Sequence, residues 1–201
     1  MTETIELYFR PTHKTALLDV CCGPMAFWPC YELTGCFDRY IYNDINEEFL
    51  GERKTQDHFY LIGNANLLPQ IFWRDDHYKG VFKTHPIGFV VMNWAACYID
   101  PLPAWLSAMA PVGTDAKSKR RVYFVKEYAK KSYTEKFPKE KFGEIRSRQA
   151  LITIFQEAGY RLKCERRVTY TTVAIHMYVF ANCGPFYDFV HRKKVAIPSM
   201  V

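Results

Sequence analysis

Leu17-Leu18-Asp19-Val20-Cys21-Cys22-Gly23-Pro24-Met25 reads as a buried strand running straight into a tight turn of small residues. The apolar run Ala16–Val20 is short and uninterrupted, as in a central parallel strand covered on both faces. Twenty-five residues beyond Asp19 a second β-rich run, Tyr40-Ile41-Tyr42, ends in Asn43-Asp44. A strand, a glycine turn, a helix and a second strand tipped with an acid make the first half of a nucleotide-type pocket. The turn lets a ligand approach the backbone, and the acid accepts hydrogen bonds from the two ribose hydroxyls.

The remaining pattern extends this alternation. A helix is expected over 27–33, with Pro29 in its first turn. Strands follow over 40–43 and 59–62, and Asn46 is placed to cap a helix beginning Asn46-Glu47-Glu48-Phe49-Leu50. Residues 73–86 are polar, aromatic and irregular, and read as a surface excursion in which Trp73-Arg74-Asp75-Asp76-His77-Tyr78 is a solvated insertion or a recognition loop. Ile87-Gly88-Phe89-Val90-Val91-Met92 is a fourth strand ending at Asn93-Trp94, and a helix over 102–109 stops at Pro111-Val112-Gly113. After a charged loop at 114–120, a fifth strand at 122–125 runs into Lys126-Glu127. An amphipathic helix over 149–158 is stopped by Gly159. Two strands, 160–169 and 174–181, then follow with no helix between them.

Composition bounds the rest. With 201 residues, 49% of them hydrophobic and 24% charged, the chain reads as one globular domain over 1–201, flanked by a short extension at 1–14 and a basic tail at 184–201. No apolar run approaches the roughly 20 residues that span a bilayer, so no membrane partner is expected. The acidic, polar start argues against a signal peptide. Seven cysteines without paired spacing favour a reducing, intracellular location, cytoplasmic or nuclear. The net charge of +6 gathers in the second half, which suits an RNA or ribonucleoprotein partner as well as ordinary solvated surface.

The two-strand ending discriminates between cofactors. A dinucleotide fold continues with further parallel units, and the chain lacks GxGxxG, its three glycine places being Cys21, Gly23 and Ala26. Five strand–helix units closed by an antiparallel hairpin resemble the class I methyltransferases, which use S-adenosyl-L-methionine. The expectation is therefore an α/β fold: a single seven-stranded class I methyltransferase (Rossmann-like) sheet with helices on both faces and an antiparallel C-terminal hairpin.

Within that class, residues 16–182 resemble the protein α-N-terminal methyltransferases, which methylate the free amino terminus of proteins. Asn43-Asp44-Ile45-Asn46-Glu47-Glu48-Phe49 is similar to the family's VDITEDF, and Met92-Asn93-Trp94-Ala95-Ala96-Cys97-Tyr98 to its IQWVIGH. Val125-Lys126-Glu127-Tyr128 is similar to IKDN, and His176-Met177-Tyr178-Val179-Phe180 repeats a closing His-x-Tyr-x-Phe. The departures are specific. The arginine that grips the cofactor carboxylate falls on Ala26, two turn glycines are Cys21 and Met25, the asparagine after the fifth-strand acid is Tyr128, and residues 139–144 offer no counterpart of the acid-and-serine segment. Fifteen residues precede Ala16, where the family carries helical residues that close its site, so either another segment supplies the lid, or the site works with a partner, or it no longer works.

The candidate cofactor-binding residues are Asp19, Cys21, Gly23, Asp44, Asn64 and Asn93. Asp19 either orients the turn amides near the cofactor ammonium or caps the turn. Asp44 either binds ribose or complements the following helix. Asn64 and Asn66 either reach the adenine edge or serve as Asx-turn residues. Asn93, Trp94 and Glu127 are the candidate catalytic residues, on the carboxyl edge where open α/β sheets bind ligands, with Tyr98 and Tyr128 beside them. No metal is expected: Cys21-Cys22 lacks ligand spacing to any histidine, and His13, His58, His77, His85, His176 and His191 form no triad. Three functions follow: S-adenosylmethionine-dependent methylation of a protein N-terminus or other amine, with a protein or peptide substrate; methylation of RNA; or a catalytically degenerate methyltransferase-like subunit of a larger, RNA-containing assembly.

Overall fold

The computed structural model describes residues 5, 15–24, 35–49, 57–112, 120–128, 148–169 and 174–183. Seven strands, β1 (Ala16–Val20), β2 (Arg39–Asp44), β3 (His58–Ile62), β4 (Ile87–Asn93), β5 (Val122–Tyr128), β6 (Arg161–Thr169) and β7 (Ala174–Ala181), form one sheet in the order β3-β2-β1-β4-β5-β7-β6. The first five are parallel, and β7 runs antiparallel between β5 and β6. The strand order reverses between β1 and β4, which is where open α/β sheets place their ligand crevice. The expected fold, hairpin included, is the one observed.

Among the described residues, four helices, α1 (Leu68–Arg74), α2 (Asp76–Thr84), α3 (Leu102–Met109) and α4 (Arg148–Glu157), pack on one face. They bury Phe72, Phe82, Trp105, Leu106 and Phe155 against Leu18, Val20, Val90, Met92 and Val125. Phe155 of α4 stacks on Phe180 of β7, with centroids 4.1 Å apart and 6° between planes. The opposite face carries a second apolar cluster in which Leu17, Tyr42, Phe89, Val91 and Phe124 meet the helical residue Ile5 with Cys36 and Phe37. The alternation is strict because paired parallel strands send matched residues to the same side.

One expectation is corrected. Most of residues 73–86, taken for an irregular excursion, is helical: α1 carries a proline in its first turn and ends at Arg74, and α2 follows at once. Asp75 separates the two helices, and its carboxylate accepts the His77 N–H at 2.8 Å as the cap of α2. Phe72, Tyr78 and Phe82 supply the buried side, so the aromatic content reflects packing against the sheet rather than a surface loop. Of the segment from Asn46, the described residues Glu47–Phe49 form a 3-10 turn with Asn46 Oδ1 accepting the Glu48 N–H at 3.1 Å, and residues 50–56 lie outside the described residues. The helix expected over 27–33, nearly all of the loop at 114–120, the segment 139–144 and the tail at 184–201 lie outside the described residues, as does the 1–14 extension apart from Ile5. No helix among the described residues is long and apolar enough to cross a membrane.

Candidate functional site

The turn after β1 and the acid at the tip of β2 are built as one unit. Cys22 N–H donates to Asn43 O at 2.9 Å, and Gly23 N–H donates to Asp44 Oδ2 at 2.9 Å. The other carboxylate oxygen, Oδ1, accepts the Asn46 N–H at 2.9 Å, while the Asp44 carbonyl accepts Gly63 N–H from the end of β3. An ionised carboxylate has about four acceptor positions, so each oxygen keeps one for a ligand hydroxyl. Gly23 adopts φ +57°, and a Cβ placed on it meets nothing within 4 Å among the described residues.

Register fixes which side chains share a face. Asp19 pairs with Tyr42 on one side and Val91 on the other. Asp44 lies two residues past Tyr42 and Asn93 two past Val91, so Asp19, Asp44 and Asn93 project to the same face at the carboxyl ends of β1, β2 and β4. Asp19 is only 1% exposed. Both acids bear on the thiols between them: burial first, then Asp44 and Asp19, push Cys21 up to about 12. Cys22 is raised further, by burial and then Asp19 and Asp44. Burial and the two acids thus keep both thiols protonated.

The two central strands end alike. Cys21 after β1 has φ +52° and Trp94 after β4 has φ +58°. A left-handed backbone costs a non-glycine residue about 1–2 kcal/mol, and such strain concentrates at ligand sites. Trp94 N–H donates to Lys126 O at 2.8 Å, and Lys126 Nζ lies 4.1 Å from the centre of the indole ring. Burial lowers the ammonium of Lys126 from its ordinary range. Asn93 Oδ1 is buried and has no hydrogen-bond partner among the described residues.

Asn64 is a turn residue in this structure: its Oδ1 accepts Asn66 N–H at 2.9 Å and caps the 3-10 turn Ala65–Leu67. Asn66 ties that turn to the loop after β4, with its Nδ2 3.3 Å from Tyr98 O and its Oδ1 accepting Asp100 N–H at 2.9 Å. Sequence reasoning missed the apolar rim along this edge. Ile45, directly after Asp44, is 75% exposed, and Ile62 and Leu67 are also exposed, beside the exposed Tyr98 that the sequence already places on this edge. The available signal was an isoleucine following the strand-end acid.

Glu127 stands apart from the other candidates. Lys126 is paired with Asn93, so Glu127, one residue on, projects to the opposite face. There it is buried, pairs with His176 of β7, and lies near Tyr178. Both groups occupy the carboxyl edge, on either side of the sheet. The Tyr128 side chain lies outside the described residues. Among the described residues no group of three or more His, Cys, Asp or Glu side chains is arranged to hold a metal.

No family model matches the chain, and no curated protein sequence matches it. Solved structures do. The methyltransferase in a complex with the Haloferax volcanii Trm112 methyltransferase activator superposes with a TM-score of 0.60 at 13% identity, covering 90% of this chain and 88% of that one. The S-adenosylmethionine-dependent methyltransferase described as putative from Listeria monocytogenes gives 0.60 at 9% identity, covering 89% and 96%. Magnesium protoporphyrin IX methyltransferase from Synechocystis PCC 6803, solved with S-adenosylhomocysteine bound, gives 0.56 at 11% identity, covering 85% and 75%. The fold of this chain is that of the class I methyltransferases.

Proposed function

We propose that the chain is an S-adenosylmethionine-dependent methyltransferase whose acceptor is an amine, the N-terminus of a protein being the acceptor that the sequence resemblance favours. The carrying observation is the pairing of Asp44 with the Gly23 turn, with Asp19 on the same face. The ligand's sugar carries two hydroxyls, which suit the remaining acceptor positions of Asp44. Its ammonium and sulfonium are cations, which suit a turn flanked by two carboxylates and carrying no thiolate. Its base is flat and largely apolar, which suits Ile45 and Ile62 at the rim. S-adenosylmethionine, when bound, supplies an electrophilic methyl group on sulfur. In this reading the buried, unpartnered Asn93 Oδ1 accepts an N–H from the cofactor or acceptor, and Trp94 walls the pocket. Alignment of the reactants is the protein's main contribution to such a displacement.

A second reading is supported by a separate observation. The turn carries a Cys21 side chain, held at φ +52°, where the resembling family has glycine. A degenerate scaffold tolerates a side chain there, and the Haloferax neighbour was solved in complex with the Trm112 activator, so a partner subunit belongs to this reading too. Titration calorimetry of the full chain with S-adenosylmethionine separates them: saturable binding supports the enzyme, and silence at about millimolar ligand, the range of −4 kcal/mol, supports the scaffold. Methyl transfer from labelled cofactor to peptides with free N-termini then tests the acceptor. Transfer to RNA instead, or RNA binding with a steep salt dependence, would move the assignment to a nucleic-acid substrate.

A further inference from the structure

Lys126 extends the face that carries Asp19, Asp44 and Asn93. It is the register partner of Asn93, so its side chain leaves the same side of the sheet one strand spacing away, about 5 Å. Its Nζ lies over the Trp94 ring, 4.1 Å from the centre, which holds the ammonium at the carboxyl edge against the residue that follows Asn93. The row continues on the hairpin: Lys126 is paired with Met177 of β7, and Met177 with Arg166 of β6. Arg166 is exposed and stands three strand spacings, about 14 Å, from Asn93. Along this face the carboxyl edge therefore changes sign. The acids Asp44 and Asp19 lie on β2 and β1, the amide of Asn93 on β4, and the cations Lys126 and Arg166 on β5 and β6.

We propose that Lys126 and Arg166 select the acceptor, and that the acceptor is a peptide with acidic residues behind its free N-terminus. The inference rests on the amine-methyltransferase reading above and narrows the peptides that the site takes. A cationic cofactor belongs on the acidic half of the face, which leaves the basic half to the acceptor. An extended peptide advances about 3.3 Å per residue. With its amine beside Asn93 Oδ1, its second or third side chain reaches Lys126 and its fifth reaches Arg166. Lys126 is half-buried, and burial lowers its ammonium from the ordinary range. An incoming carboxylate favours the charged form again, and hydrogen bonds between two charged groups are the stronger kind. A polyanion suits the row less well. It supplies two cations bordered by two acids, whereas nucleic-acid binding commonly neutralises about six to ten phosphates.

Calorimetry of the full chain loaded with S-adenosylhomocysteine, titrated with short free-N-terminal peptides, reads the preference without any turnover. A peptide with glutamate at its second, third and fifth positions is expected to bind more tightly than its glutamine counterparts. The gain should be about tenfold for the acid that meets half-buried Lys126 and about threefold for the one that meets exposed Arg166. In Lys126→Glu the preference at the second and third positions should invert toward lysine, and in Arg166→Glu that at the fifth. A merely structural role for either side chain would not exchange one charge preference for the other. Arg166→Glu, at an exposed position, supplies the reversal on a folded chain should Lys126→Glu unfold. Equal affinity for acidic and neutral peptides, tighter binding of a basic peptide, or no binding of any, overturns the proposal alone. Tighter binding of a short RNA than of any peptide, with a steep salt dependence, overturns it in favour of a nucleic-acid acceptor. A wild-type chain that binds neither S-adenosylmethionine nor S-adenosylhomocysteine overturns the functional reading with it.

Discussion

Asp44 Oδ2 accepts the Gly23 N–H at 2.9 Å, so the acid at the tip of β2 holds the turn that leaves β1. The same carboxylate holds Asn46 N–H through its other oxygen, and the pair of bonds makes two strand ends and the intervening turn a single rigid edge. Rigidity there is what a ligand needs when it approaches backbone rather than side chains.

Asp44→Ala removes both bonds at once. A hydrogen bond to a charged acceptor contributes about 1.5–3 kcal/mol, so the variant should lose about 3 kcal/mol of stability in urea unfolding. Asp44→Asn retains an acceptor oxygen and should lose about half as much.

Gly23→Ala separates stability from binding. Among the described residues the added Cβ meets nothing within 4 Å, so the expected folding penalty is that of the left-handed backbone, about 1 kcal/mol. The same Cβ occupies the space above the turn. Affinity for S-adenosylmethionine should fall tenfold or more, about 1.4 kcal/mol, by calorimetry on the folded variant.

The neutral thiols give a pH dependence of definite sign. Burial, Asp44 and Asp19 push Cys21 up to about 12 in the fold, whereas an unfolded thiol titrates near about 8.5. Below that lower value both states hold the proton and stability is complete. As pH rises through the window the unfolded chain releases a proton that the folded chain keeps, and stability falls. Urea midpoints measured upward from neutral pH should drop more steeply for the wild type than for Cys21→Ala. Alkylation should reach the exposed Cys164 well before Cys21 or Cys22.

Arg121 tests the architecture away from the site. It is fully buried, and its guanidinium donates to Ile87 O at 3.1 Å and to Met109 O and Val112 O. Those carbonyls include the end of α3, where the helix dipole favours a cation. Arg121→Met should leave them unsatisfied and cost about 3 kcal/mol or more in urea unfolding. Arg121→Lys should rescue little, because one ammonium cannot reproduce the planar fork.

The strands were legible because each is a short apolar run bounded by turn residues, and the hairpin because no helical pattern separates β6 from β7. The pair α1–α2 was not, since Trp73, Arg74, Asp75 and Asp76 look like surface unless Asp75 is seen as a cap between two buried aromatic faces. At the site, Asp19, Gly23 and Asp44 follow from strand order and spacing. Their hydrogen bonds do not, because they depend on the register of β1 against β2. Register also moves Glu127 to the far face, which strand spacing alone leaves undetermined. The row from Asn93 through Lys126 and Met177 to Arg166 crosses four strands, and no local motif marks it.

Isothermal titration calorimetry of the full chain with S-adenosylmethionine decides whether this edge holds that ligand. The prediction is one saturable site, weakened in Gly23→Ala and lost in Asp44→Ala while both variants remain folded. Absence of binding to the wild type at about millimolar ligand, or binding unaffected by Asp44→Ala, would contradict it.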